Sequence, residues 1–121
     1  DDLTACISDI KHADAVVLMY PIYMRNYNGL CGMFMDRLYA YYSYDGKSMV
    51  KDGLKFFQIN SCGGDAPRAE EVADGIDWLF DALGFETAGR IVHCSNVGTT
   101  DAVNDPDLLK RAEQAGRDLF S

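Results

Sequence analysis

A chain of 121 residues, 48% of them hydrophobic, is long enough to bury one core, and it is read as a single domain spanning residues 1–121. Its formal net charge of -8 opposes a phosphate-backbone footprint, which needs clustered Lys and Arg, so nucleic acid is not an expected partner. No window approaches the roughly eighteen uninterrupted apolar residues of a membrane span, and no basic-then-apolar leader opens the chain, so a cytoplasmic protein with no membrane partner is expected.

Along the chain, apolar spacing alternates between helical and extended periods. Leu3, Cys6, Ile7 and Ile10 predict a helix over Leu3 to Lys11, and the continuous apolar run that follows predicts a strand over Ala15 to Tyr20. A run of that kind suits a strand covered on both faces, as in a parallel sheet between helices. Pro21 lacks an amide hydrogen and has a fixed φ, so the chain is expected to leave the sheet there, with the next amides free for other partners. A short polar loop then leads to Gly29 and a helix over Leu30 to Tyr41, capped by Asn28.

The stretch from Tyr39 to Asp52 is rich in tyrosine and turn formers and reads as an excursion, interface-like in composition or simply a surface loop. A strand over Leu54 to Ile59 follows, then Asn60-Ser61-Cys62-Gly63-Gly64, and a helix over Pro67 to Leu83 opened by Asp65 and Pro67. Val72, Ile76, Leu79, Phe80 and Leu83 form its buried stripe, with Trp78 off it to cover a flank or meet another subunit. Gly84 supplies a left-handed turn into a strand over Glu86 to Val92, and Asp105 with Pro106 starts a last helix over Pro106 to Phe120. Helices alternating with strands imply right-handed crossovers on a parallel sheet.

Cys6, Cys31, Cys62 and Cys94 are spread with no close pair, so reduced, mostly buried thiols are expected and neither a zinc ribbon nor a cluster site is read. His12 and His93 lack clustered ligand partners, so no metal site is expected, although His93 sits at a strand end where it could touch a cofactor edge. No Ser-His-Asp or Cys-His arrangement is legible, and Asp36 with Arg37 reads as a salt-bridging pair. No catalytic side chain is assigned.

Two loops follow strand ends, Pro21 to Gly29 and Asn60 to Gly64. Adjacent parallel strands place them side by side at the carboxyl edge, where open α/β sheets bind ligands. Gly63 and Gly64 permit positive φ and close approach of backbone to a ligand. Tyr23 could stack on a planar ring or lid the core, and Arg25, Asn26 and Asn28 add polar reach or local turn bonds.

The run Ala13-Asp14-Ala15-Val16-Val17-Leu18-Met19-Tyr20-Pro21-Ile22-Tyr23, with Gly29 six positions on and then Phe34-Met35-Asp36-Arg37, resembles the NADPH-dependent FMN reductase family. That resemblance implies a flavodoxin-like three-layer sandwich with a parallel sheet, here reduced to about three strands, the family's third to fifth (3-4-5), and four helices. It implies an FMN site in which Pro21, Ile22 and Tyr23 face the flavin ring, Asn26 and Gly29 shape the loop, and Cys62, Gly63 and Gly64 close the other side. NADPH or NADH is the implied co-substrate and a small molecule or protein the implied electron acceptor, in a homo-oligomer.

Tyr20 stands where relatives usually carry a small hydroxyl residue, and Gly32 where lysine is common. The family's first strand and its Ser/Gly-rich phosphate loop are not in these residues, so weak or absent FMN binding by this chain alone is expected. The closely spaced cysteines of the iron-sulfur branch are not found either, and no iron-sulfur cluster is implied. Two other functions stay open: a flavodoxin-type electron carrier fed by a basic redox partner, and a flavin-free assembly or interaction domain.

Overall fold

The computed structural model describes residues 1–42, 45, 47–94, 98 and 101–121. Their order is α1 (Asp2–Ile10), β1 (Ala15–Tyr23), β2 (Asn26–Tyr27), α2 (Gly29–Arg37) with a 3-10 turn (Leu38–Tyr41), β3 (Lys55–Ser61), α3 (Ala66–Ala82), β4 (Glu86–His93) and α4 (Pro106–Asp118). The result is an α/β fold with a mixed four-stranded sheet in the order β2-β1-β3-β4, consistent with a flavodoxin-like sandwich. Its core is the expected parallel trio, β1 beside β3 beside β4.

All four helices start on a side-chain cap, α1 on Asp1, which accepts from the Thr4 amide at 2.9 Å. Asn28 accepts from the Cys31 amide at 3.2 Å, Asp65 from Arg68 at 3.1 Å, and Asp105 from Leu108 at 3.0 Å, with prolines in the first turns of α3 and α4. Each cap satisfies an amide that the helix itself cannot pair. At the other end of α3, Gly84 takes φ +96° and lets the Phe85 amide reach the Phe80 carbonyl at 3.0 Å before β4 begins.

Two expectations about β1 fail together. The chain does not leave the sheet at Pro21: the strand continues to Tyr23, with Pro21 in register with Ser61 of β3. The expected polar loop instead doubles back as a hairpin, pairing Ile22 with Tyr27 and Tyr23 with Asn26 antiparallel. Pro21 is tolerated because β1 runs along the edge of the parallel trio there, so its missing donor breaks no essential bond. The hairpin turn is made by Met24 and Arg25 at φ 49° and 66°. Left-handed residues at both central positions match the twist of a two-residue hairpin, but Met and Arg do not advertise such a turn.

β4 carries a second irregularity. Phe56 is in register with Thr87, but Phe57 is in register with Gly89, so Ala88 is the extra residue of a bulge. Gly89 has φ +135°, and a side chain there would press on the Phe57 ring, whose nearest carbon lies 3.1 Å from a Cβ position. The bulge sets which face Ile91 and His93 present.

The two faces of the sheet are filled unequally. Helices α1, α2 and α3 cover one face, where Tyr20, Phe56, Val72, Ile76, Phe80 and Phe85 join Leu38, Tyr41, Leu54 and Leu83 in a continuous core. Phe56 and Phe80 stack at 3.6 Å between ring centroids, and Phe85 meets both edge-on. Among the described residues only α4 and its C-cap cover the other face, laying Leu108, Ala112, Ala115 and Leu119 over Phe57, Ile59 and Ile91. Val17 and Met19 of β1 project from that same face and remain 46% and 69% exposed.

The tyrosine-rich excursion divides, with Ser43, Tyr44 and Gly46 lying outside the described residues. Tyr41 is buried and donates to the Ile7 carbonyl, Tyr42 donates to the Ala82 carbonyl at 3.1 Å, and Tyr39 is exposed. Trp78 is 71% exposed, off the helix stripe as its spacing indicates. Asp36 and Arg37 part company: Arg37 ties α2 to Asp1 at 2.9 Å and to the Thr4 hydroxyl at 3.0 Å.

Candidate functional site

The carboxyl ends of β1, β3 and β4 meet as two rungs on the face that α4 half covers: Met19, Ile59 and Ile91, then Pro21, Ser61 and His93. Side chains alternate along a strand, so in-register residues of parallel neighbours share a face. Leu108, Leu109 and Ala112 of α4 and Ala102 complete a cavity of about 440 Å³ around these rungs. Its lining is mainly apolar, with Tyr20, Asn60, Ser61 and His93 as the residues bearing polar groups, and among the described residues it includes neither Lys nor Arg. Nε2 of His93 and Oδ1 of Asn60, both on lining residues, are buried without a hydrogen-bond partner.

Behind the same strand ends, on the α3 face, lies a buried polar network. Tyr20 donates to Gln58 Oε1 at 2.6 Å and accepts from Asn60 Nδ2 at 3.1 Å, while Gln58 Nε2 donates to the Ala73 carbonyl at 2.9 Å and to Asp77. Arg90 closes the network with Asp77 at 3.1 Å, Asp74 at 2.7 Å and Glu70 at 2.9 Å. Burial pushes the Tyr20 phenol up to about 12 and also raises the Asp77 carboxyl, against the opposing Gln58 hydrogen bond and Arg90 charge. Arg90 itself is raised although burial works against it, because Asp74 first, then Glu70 and Asp77, favour its charge. A phenol that stays neutral and holds two amide side chains fixes the ends of β1 and β3 relative to α3. This is the structural use of Tyr20, the position where a small hydroxyl was expected.

The two loops singled out in the sequence lie side by side. Arg25 at the hairpin tip pairs with Asp65, and Arg68 Nε donates to the Arg25 carbonyl at 2.7 Å, so the tip is tied to the start of α3. Between them the chain turns through Gly63 and Gly64, both exposed. Positive φ among the described glycines falls at Gly53, Gly84 and Gly89, so the Gly63-Gly64 turn is made without it. A Cβ at Gly64 meets nothing within 4 Å, which leaves its backbone approachable.

The predicted contact residues are thus placed unequally. Pro21 lines the cavity, whereas Ile22 and Tyr23 are taken into the β2 ladder, so their backbone is not the free set of donors expected from Pro21. Tyr23 is exposed, and the Asn26 side chain accepts from the Tyr27 amide at 2.9 Å. Gly29 opens α2, and a Cβ there meets nothing within 4 Å. At Gly32 a Cβ falls 3.1 Å from the Tyr27 ring, so the hairpin occupies the room that a lysine needs.

Cys62 corrects the expectation of reduced thiols: it is bonded to Cys94, with Cα atoms 4.6 Å apart. Each cysteine lies one residue beyond the Ser61–His93 pair, so parallel strand pairing brings together positions separated by 32 residues in sequence. Cys31 is a buried free thiol, held up to about 11 by burial, and Cys6 is free and exposed. Sequence reasoning missed Met19, Ser61 and Ile91 as lining; the strand register is the signal that finds them.

No three His, Cys, Asp or Glu side chains gather as metal ligands among the described residues, and no helix there is long and apolar enough to cross a membrane.

The fold is that of an open α/β sheet with a cleft at its carboxyl edge, and comparison with solved structures places it further. The chain resembles a thermophilic tryptophan halogenase from Streptomycin violaceusniger (TM-score 0.71, 15% identity, 100% of this chain and 74% of that one). It also resembles an oxidoreductase from Corynebacterium diphtheriae (TM-score 0.65, 21% identity, 98% and 59%). A third likeness is to the apo form of an NADH:FMN oxidoreductase, EMOB (TM-score 0.64, 15% identity, 98% and 56%). At these identities the likeness is one of fold, and the chain spans less than two thirds of the length of the last two. No protein-family model and no curated protein matches the sequence.

Proposed function

We propose that this chain is the ring-binding part of an FMN-dependent NAD(P)H oxidoreductase. The observation that carries the reading is the open apolar cavity at the carboxyl edge, bounded by Pro21 and Ser61 and holding the unpartnered Nε2 of His93. A flat ring with polar edges suits such a lining, since the apolar floor of Met19, Ile59 and Ile91 takes its face and a few placed polar atoms fix its orientation. The fold likeness to an NADH:FMN oxidoreductase points the same way.

When bound, the flavin supplies two-electron chemistry between a nicotinamide and an acceptor. The chain's own residues bind, orient and exclude water. Pro21 and Met19 form one wall and Ser61 with Ile59 the adjoining one, with His93 Nε2 as the polar contact. Ile22, Tyr23, Asn26 and Gly29 shape the hairpin side, and Cys62, Gly63 and Gly64 shape the turn opposite. No side-chain acid or base is assigned. The lining offers no cation for a phosphate, so affinity rests on the ring. Each charge-assisted phosphate contact contributes about 1.5–3 kcal/mol where one exists.

The test is a fluorescence titration with FMN and with riboflavin, which lacks the phosphate. The reading expects weak binding of both, equal within about threefold, and its loss in Ser61→Trp, which fills the cavity. Failure of both ligands to bind at millimolar concentration sinks the ring site; tight stoichiometric binding of FMN alone sinks the ring-only account. The net charge of -8 favours a second reading, an electron carrier that receives electrons from a basic protein partner. Rapid anaerobic flavin reduction by NADPH or NADH without a partner excludes the carrier.

A further inference from the structure

Four observations at the Cys62–Cys94 bond point beyond a structural staple. The bond joins strand ends that are held together without it. β3 and β4 are paired in parallel from Lys55 to Ser61, and the Cys62 amide donates to the His93 carbonyl at 2.9 Å, so opening the bond releases side chains and leaves the ladder. The two cysteines differ in burial, Cys62 being 7% exposed and Cys94 half-buried. The bond sits at an open edge: the adjoining rung, Ser61 and His93, lines the cavity although neither cysteine does, and the exposed Gly63 and Gly64 follow Cys62 directly. Neither remaining cysteine serves as an internal resolving thiol: Cys31 is packed in the core on the other face, and Cys6 lies on α1, which covers that face.

From these we propose that Cys62–Cys94 is a thiol–disulfide exchange site whose substrates are small-molecule thiols and disulfides. The thiolate of an external thiol attacks Sγ of Cys94, the less buried of the two residues. The Cys62–Cys94 bond breaks as the new bond forms, and Cys62 leaves as a thiolate that takes a proton from solvent. A second external thiolate attacks the external sulfur of the mixed disulfide, releasing Cys94 as a thiolate that is protonated in turn. In sum, two external thiols are oxidised to one disulfide while the protein pair is reduced to two thiols, and the reverse sequence closes it. The site does not depend on the cavity holding a flavin. Its effect is on the Cys62 to Gly64 turn, which in the open state loses its side-chain tether to the end of β4 and keeps the hydrogen bond from the Cys62 amide to the His93 carbonyl.

The experiment equilibrates the protein, purified without reductant, in glutathione buffers from fully oxidised to fully reduced, followed by acid quench, alkylation and peptide mass analysis. Cys62 and Cys94 are expected to gain label together in one reversible transition, while Cys6 labels independently of it. In Cys62→Ser, Cys94 is expected to accumulate roughly tenfold more glutathione mixed disulfide than Cys62 does in Cys94→Ser, reflecting their access. The wild-type titration stands even where a variant folds poorly. The inference is overturned if both cysteines label in the native protein without reductant and cannot be oxidised. It is overturned equally if the bond stays closed to excess reduced glutathione until denaturant is added, or if the two variants take up glutathione alike.

Discussion

The same three parallel strands present two unlike faces. Toward α1, α2 and α3 they show a filled core of stacked aromatics backed by a buried polar network in which Asn60 Oδ1 alone lacks a partner beside Tyr20, Gln58 and Asp77. Toward α4 they show a thin cover, two exposed apolar residues of β1 and a cavity at the carboxyl end. In α3, Ala69, Val72, Ala73, Ile76 and Phe80 are buried, whereas no residue of α4 is. Stability therefore concentrates on one face and binding capacity on the other. A face that must admit a ligand cannot also be packed to crystal density.

Substitutions can break this division. Phe80→Ala, on the packed face, is expected to cost about 3–5 kcal/mol in urea denaturation, because Phe56 and Phe85 lose their partner and cannot close the gap. A loss below about 1 kcal/mol contradicts the unequal packing.

High pH attacks the same face. Tyr20 and Cys31 have folded-state values of about 12 and about 11, against ordinary values of 10.0 and 9.0, because burial favours their neutral forms. Their contribution is whole below pH 10 and pH 9 respectively and is lost as pH rises through the folded values, about 3 kcal/mol for each two-unit displacement. Denaturation at pH 8 and pH 11.5 checks the sign. Tyr20→Phe is expected to remove the tyrosine's share of that alkaline loss, and to cost about 1–3 kcal/mol at neutral pH by leaving Gln58 Oε1 without its donor.

Two smaller effects sharpen the contrast. Backbone amides of α4 are expected to exchange with deuterium before those of α3, by local opening; the opposite order reverses the assignment of the stable face. Met19→Ser is expected to shift stability by no more than about 0.5 kcal/mol, since the side chain is largely in solvent, while weakening ring binding.

Much of this architecture was legible because local chemistry and tertiary structure agree. Asn28, Asp65 and Asp105 cap the helices they precede, and the strands expected from Ala15 and from Leu54 are neighbouring parallel strands. What escaped sequence reading depends on register. Met24 and Arg25 adopt left-handed backbone that their side chains do not favour, so the hairpin was hidden. The Ala88 bulge decides which β4 residues line the cavity, and the meeting of Cys62 with Cys94 follows from strand pairing across 32 residues. Pro21 was read as a breaker, yet at an edge a missing amide costs little.

The most direct test of the ring site is amide chemical-shift mapping on the isotope-labelled chain as FMN is added. The account predicts shifts concentrated at Met19 to Tyr23, at Ser61 to Gly64 and at His93, with the α1–α2 side silent. Shifts centred on Tyr39 and Trp78, or none at saturating FMN, contradict it.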